Sequence, residues 1–130
     1  MAKKTKLRKF EDKLDNIFPE YIRLRDMDKP CCSCGQYKEK KDCGHWYSRR
    51  HKTVRWDWRN AHGECARCNR FDRDHHIGYT KFMIDKYGAE ELHELTESKN
   101  APYHKDPEIL ERLIYYYTQL IKQLKKEKGL

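Results

Sequence analysis

Cys31-Cys32-Ser33-Cys34 and Cys65-Ala66-Arg67-Cys68 are the two stretches whose reading decides the fold. Each holds a Cys-x-x-Cys pair, Cys31 with Cys34 and Cys65 with Cys68. Two such turns can bring four thiolates to the corners of one tetrahedral zinc ion. Cys32 could replace Cys31 as a ligand, but Cys31-x-x-Cys34 matches the second pair; Cys32 and Cys43 are then left over as small side chains or free thiols. The 30 residues between the pairs, 35–64, exceed what a compact four-cysteine finger needs. They leave room for a β-hairpin, so the order expected is a knuckle, a hairpin, a second knuckle and a helix: a treble clef.

Composition supports a metal-stapled chain. Of 130 residues, 37% are hydrophobic and 38% charged, a thin core for the length. A structural zinc can contribute about 10–16 kcal/mol of apparent binding energy that is also folding energy. The net charge of +8 favours an anionic partner, nucleic acid before membrane. No apolar run suits a membrane span or signal peptide, and no helix joins a broad apolar face to a strongly basic one. A cytoplasmic, reducing setting is therefore expected, where paired cysteines bind metal more often than they form disulfides.

Outward from the cysteines, Leu7, Phe10, Leu14 and Ile17 fall at helical spacing. Phe18-Pro19 is expected to end that helix, with Pro19 opening another to Asp26; a short strand over Tyr21–Arg25 is the alternative. Strands are expected at Asp42–Tyr47 and within Thr53–Trp58, joined by the basic loop 48–52. A helix is expected over Ala66–Arg73, then helices over Ile77–Tyr87, stopping at Gly88, and Ala89–Glu97. Asp106-Pro107-Glu108 reads as an N-cap with Pro at N1. It opens a long helix with Leu110, Leu113, Ile114, Tyr117, Leu120, Ile121 and Leu124 on one face. The fold class is α+β, mostly helical. It divides into a basic helical segment (1–28), a zinc-bound core (29–75) and a helical region (76–130) that packs on the core or in a homodimer.

Residues 46–70 carry Arg49, Arg50, Lys52, Arg55, Arg59, Arg67 and Arg70 against only Asp57 and Glu64, and all three tryptophans lie in this window. Arginine can fork onto phosphates, and an exposed tryptophan can stack on an unpaired base. Trp56 is the one expected in the core. Lys3, Lys4, Lys6, Arg8 and Lys9 form a second basic tract.

His45 on the first strand, Asn60 after the second and Asn69 beside the last cysteine resemble the His-Asn-His (ββα-metal) nuclease superfamily in its zinc-clamped form. More narrowly, Tyr21-Ile22-Arg23-Leu24-Arg25-Asp26, the first knuckle, Asp42-Cys43-Gly44-His45-Trp46, Arg55-Trp56 and Asn60-Ala61-His62-Gly63-Glu64-Cys65-Ala66-Arg67-Cys68-Asn69 follow in the order of the phage NinG (Rap) family of recombination endonucleases. The resemblance implies a structure-selective nuclease acting on branched DNA such as Holliday junctions and D-loops. It implies His45 as general base, Asn60 fixing the loop and orienting His45, and a magnesium or manganese ion with Asn69 as ligand. Many superfamily members place an acid directly before the histidine; here that residue is Gly44. Asp42 is the candidate metal ligand in its stead. Strand alternation puts Asp42 on the face opposite His45, and a bulge would be needed to join them. Asp72, His75 and His76 are lesser candidates, and His62 reads as loop support. A zinc-stabilised DNA-binding protein without catalysis is the alternative.

Overall fold

The computed structural model describes residues 3–72 and 74–130. Met1 and Ala2, and Arg73 at the end of the expected 66–73 helix, lie outside the described residues. The order is α1 (Lys6–Arg25), β1 (Asp42–His45), a 3₁₀ turn (Trp58–Asn60), β2 (Ala61–Glu64), a π-helical turn (Arg67–Phe71), α2 (His75–Asn100) and α3 (Pro107–Lys128). The architecture is mostly helical, with one two-stranded antiparallel sheet and a cysteine cluster.

α1 starts where Thr5 caps it, its hydroxyl accepting from Arg8 N at 3.1 Å. Contrary to the expected break, the helix runs through Pro19. Proline forfeits one helical hydrogen bond, a cost of about 3 kcal/mol in a helix interior. Leu14, Phe18 and Ile22 are buried on one stripe across the site, and burying two or three such side chains at about 1.5–3 kcal/mol each outweighs that loss. They join Trp56, Ala61, Leu110, Ile114 and Tyr117 in one core. Phe18 meets Tyr117 edge-on at 5.0 Å.

α3 begins as its sequence directs. Asp106 accepts from Glu108 N at 2.9 Å, Pro107 opens the helix, and Gly129 closes it in the left-handed conformation. α2 is two arms rather than one rod: Gly88, at φ +79°, breaks the helical path where a stop was expected. Its Tyr79, Met83 and Leu95 join Cys32 and Val54 in a second core.

The sheet lies between these cores. β1 pairs with β2 in unbroken register: Asp42 with Glu64, Cys43 with Gly63, Gly44 with His62, His45 with Ala61. The second strand is thus Ala61–Glu64, not the expected segment within Thr53–Trp58. That segment is a series of turns whose alternating burial of Val54 and Trp56 imitates a strand. All four β2 residues are buried, so its outer edge needs protein partners. Cys32 N donates to Gly63 O at 3.1 Å, Gly63 N to Asp26 at 2.8 Å, and Arg25 to Ala61 O at 2.8 Å. Burial pushes the Asp26 carboxyl up, but the Arg25 fork and the Gly63 N–H together outweigh it and bring it down to about 2. The helix expected over 66–73 is a single π turn, and α2 starts only at His75. No described helix is long and apolar enough to cross a membrane.

Candidate functional site

Cys31, Cys34, Cys65 and Cys68 converge, their sulfurs all within 4.8 Å of one another. The Cys34–Cys65 separation is 3.9 Å. A tetrahedron with Zn–S bonds of about 2.3 Å has edges of about 3.8 Å, so this set could hold a metal ion such as zinc. Burial pushes the Cys31 thiol up, but the N–H groups of Cys34, Cys65 and Ser33 more than offset it and the net shift is down. Cys65 N donates to Cys31 Sγ at 3.3 Å, one knuckle bonding the other. Cys32 is buried in the α2 core, and Cys43 lies against the α1 core with burial holding its thiol up at about 12. α2 rides directly on the first knuckle: a Cβ at Gly78 would stand 2.1 Å from Ser33 O.

His45 ends β1, half-buried near Phe18. Its Nε2 lies 2.9 Å from Arg55 O. A carbonyl only accepts, so Nε2 carries the proton and Nδ1 keeps its lone pair. Burial, then the charges of Arg49 and Arg55, hold this imidazole below its ordinary pKa, against the Arg55 carbonyl, which raises it. Asn60 is fully buried and ties the 46–60 loop shut. Its Oδ1 accepts from Tyr47 N at 2.9 Å, and its Nδ2 donates to Tyr47 O at 3.0 Å and Val54 O at 3.2 Å. Arg55, which holds His45, belongs to that loop.

On the other face of β1, Asn69 donates to Asp42 Oδ2 at 3.0 Å. Arg70 forks onto the same carboxylate at 2.9 and 3.1 Å. The unbroken register leaves no bulge to carry Asp42 round to His45. Asp72, His75 and His76 have other partners: Asp72 accepts from Asp74 N at 2.8 Å, and His76 stacks on Trp46. His75 instead donates through Nδ1 to Glu64 Oε2 at 2.8 Å, with Ser33 Oγ on the same oxygen. Glu64 Oε1 has no hydrogen-bond partner among the described residues and fills the space a Cβ on Gly44 would take. The sequence reading passed over Glu64; the signal was the glycine before His45, which leaves room for a carboxylate from the paired strand.

His62 is buried in β2 rather than supporting a loop. Tyr79 O–H donates to Gly44 O at 2.7 Å, so the Tyr79 oxygen accepts from His62 Nδ1 at 3.1 Å, and His62 Nε2 accepts from Tyr87 O–H at 2.7 Å. Burial, followed by the Arg25 charge, lowers the His62 pKa to about 3, so the imidazole is neutral.

The basic window is largely paired within the protein. Arg55 forks onto Asp15 with Arg49 at 3.4 Å from the same carboxylate, Lys52 meets Glu11 at 3.0 Å, Arg59 meets Asp57 at 2.9 Å, and Arg70 holds Asp42. Arg50 and Arg67 are exposed and have no carboxylate partner among the described residues. In the N-terminal tract, Lys4 and Arg8 share Asp12.

A family profile described as Bacteriophage Lambda NinG protein matches residues 1–127. The chain belongs to the NinG family. Protein ninG of Escherichia phage 933W is 30% identical over 111 residues, covering 84% of this chain and 55% of that protein. The ninG proteins of Salmonella phage P22 and Escherichia phage lambda are each 29% identical, covering 84% of the chain and 54% of theirs. The chain thus spans about half the length of these NinG relatives. No solved structure matches it.

Proposed function

We propose that this NinG-family chain is a zinc-stapled, metal-dependent DNA endonuclease of the His-Asn-His type, selective for branched recombination intermediates such as Holliday junctions and D-loops. The observation that supports it best is His45 itself. Its tautomer is set by Arg55 O, its neutral form is favoured by burial and neighbouring arginines, its Nδ1 has no hydrogen-bond partner among the described residues, and its strand pairs with β2, which the first cysteine turn bonds and which runs into the second.

In this reading Nδ1 of His45 takes the proton of the attacking water as its oxygen bonds to phosphorus and the 3′ oxygen leaves. Asn60 keeps the 46–60 loop closed, so that Arg55 O orients the ring. Asp42 and Asn69 are oxygen donors of the kind magnesium or manganese prefers, and they already touch; Arg70 must leave Asp42 for an ion to enter, and Asp42 must turn to the His45 face of β1 for that ion to reach the phosphate His45 serves. Such an ion, when bound, would offset charge on the phosphate and the leaving oxygen. The four cysteines hold zinc and keep β2 and the π turn, which carries Asn69, in place.

One observation favours a second reading, a DNA-binding protein without catalysis: Asp42 is neutralised by Arg70 and lies on the face of β1 away from His45. The deciding experiment incubates purified protein with four-way-junction and linear duplex DNA in magnesium, manganese or EDTA. The endonuclease reading expects nicks in the junction, with either ion and not with EDTA. Junction binding without cutting under every ion would establish the second reading.

A further inference from the structure

The fold uses its three tryptophans unequally. Trp46 donates its indole N–H to Thr80 at 3.0 Å, and Trp56 donates to Asp15 at 3.0 Å with its ring buried. Trp58 does neither. It is 42% exposed, and its indole N–H has no protein acceptor among the described residues. It borders an open cavity of about 670 Å³ between the 52–59 segment, the second arm of α2 and the start of α3. Nucleotide-sized ligands occupy sites of this size, in the range of about 300–1,000 Å³.

The walls are aromatic: Trp56, Trp58, Tyr103 and Tyr116, the last 48% exposed. The charges around them nearly cancel. Arg59 is spent on Asp57 at 2.9 Å and approaches Glu94 at 3.7 Å, Lys52 is spent on Glu11, and Glu91, although it feels the Arg59 charge, makes no ion pair within 4 Å among the described residues. A phosphate gains little in such a place. A flat, uncharged heterocycle gains a stacking face, and an amino group on its edge gains the Glu91 acceptor.

We propose that this cavity is a nucleobase site, which receives one unpaired base of a DNA branch point stacked on Trp58. The inference rests on the branched-DNA reading above and deepens it. Linear duplex offers no unpaired base, whereas a D-loop or a gapped junction does, so the cavity supplies selectivity for such branches, while Arg50 and Arg67 meet phosphates of any DNA. The site also adjoins the candidate chemistry: Trp56 in its wall follows Arg55, whose carbonyl holds His45.

The test is made in EDTA, so that no cutting intervenes. Affinities for linear duplex and for a gapped four-way junction are measured for the full chain, Trp58→Phe and Trp58→Ala, with 2-aminopurine at an unpaired position of the junction. The proposal expects quenching of 2-aminopurine by the parent chain. It expects a loss of junction affinity of roughly 5- to 150-fold in Trp58→Ala, the scale of one stacked base, a smaller loss in Trp58→Phe, and duplex affinity within about twofold of the parent. Equal affinities in all three proteins, or equal losses on both DNAs, overturn it. So does sedimentation showing that Trp58→Ala dissolves a dimer, which would make the occupant a second copy of the chain. If Trp58→Ala is neutral while magnesium-dependent junction cutting is intact, only the nucleobase site fails; if no DNA binds at all, both readings fail.

Discussion

At the scale of single residues, His62 makes the chain sensitive to acid. Its folded pKa of about 3 lies below the ordinary 6.5. Between these values the unfolded chain binds the extra proton, so stability is whole above about pH 6.5 and falls as the pH drops toward 3. The slope reaches at most about 1.4 kcal/mol per pH unit from this one group. Denaturant unfolding at pH 4 to 7 should show that loss, and His62→Gln should flatten it; an unchanged slope would place the sensitivity elsewhere. The cysteines make a sharper test. Elemental analysis should find one zinc per chain, retained in Cys43→Ala and lost with most of the folding energy in Cys65→Ala, as the separation of Cys43 from the cluster requires. The four clustered cysteines were legible from spacing alone. Glu64 and Tyr79 were not, because their roles depend on contacts across the sheet: a glycine diagonal to one, Gly44, and a histidine beside the other, His62.

At the scale of elements, α3 could be read from its caps because Asp106, Pro107 and Gly129 act locally. α1 could not, because Pro19 is overruled by contacts far along the chain with Leu110, Ile114 and Tyr117. Pro19→Ala should therefore return a hydrogen bond to Asp15 O and raise thermal stability by up to about 3 kcal/mol; a lower melting temperature would mean that the helix needs the bend. β2 was hidden for a related reason. Ala61-His62-Gly63-Glu64 lacks the β-branched and aromatic residues that favour strands. Its extended form is set from outside, by Cys32 N and the Arg25–Asp26 pair on one edge and β1 on the other. The segment that looked like a strand, Thr53–Trp58, is instead the closed loop that Asn60 ties and from which Arg55 reaches His45.

At the scale of the whole molecule, a net charge of +8 overstates what is free to meet DNA. Five of the seven cations in the 46–70 window answer carboxylates of the protein itself, Asp15, Glu11, Asp57 and Asp42. Sequence could count these charges but not see them paired, since Asp15 and Glu11 arrive from α1. The double variant Arg50→Ala, Arg67→Ala should flatten the log–log dependence of duplex affinity on salt by up to about 1.8, two contacts at about 0.9 each. An unchanged slope would put the DNA surface elsewhere. The remaining question is whether the assembled strand does chemistry. His45 is held by Arg55 O, while the exposed cations lie on other residues, so removing its imidazole should leave binding in place. The most direct measurement is junction cleavage and junction binding by His45→Ala, side by side with the parent chain in magnesium. The account predicts cleavage lowered by about 100- to 10,000-fold with junction affinity and thermal unfolding close to the parent's. Cleavage at the parental rate by a folded His45→Ala protein would contradict it.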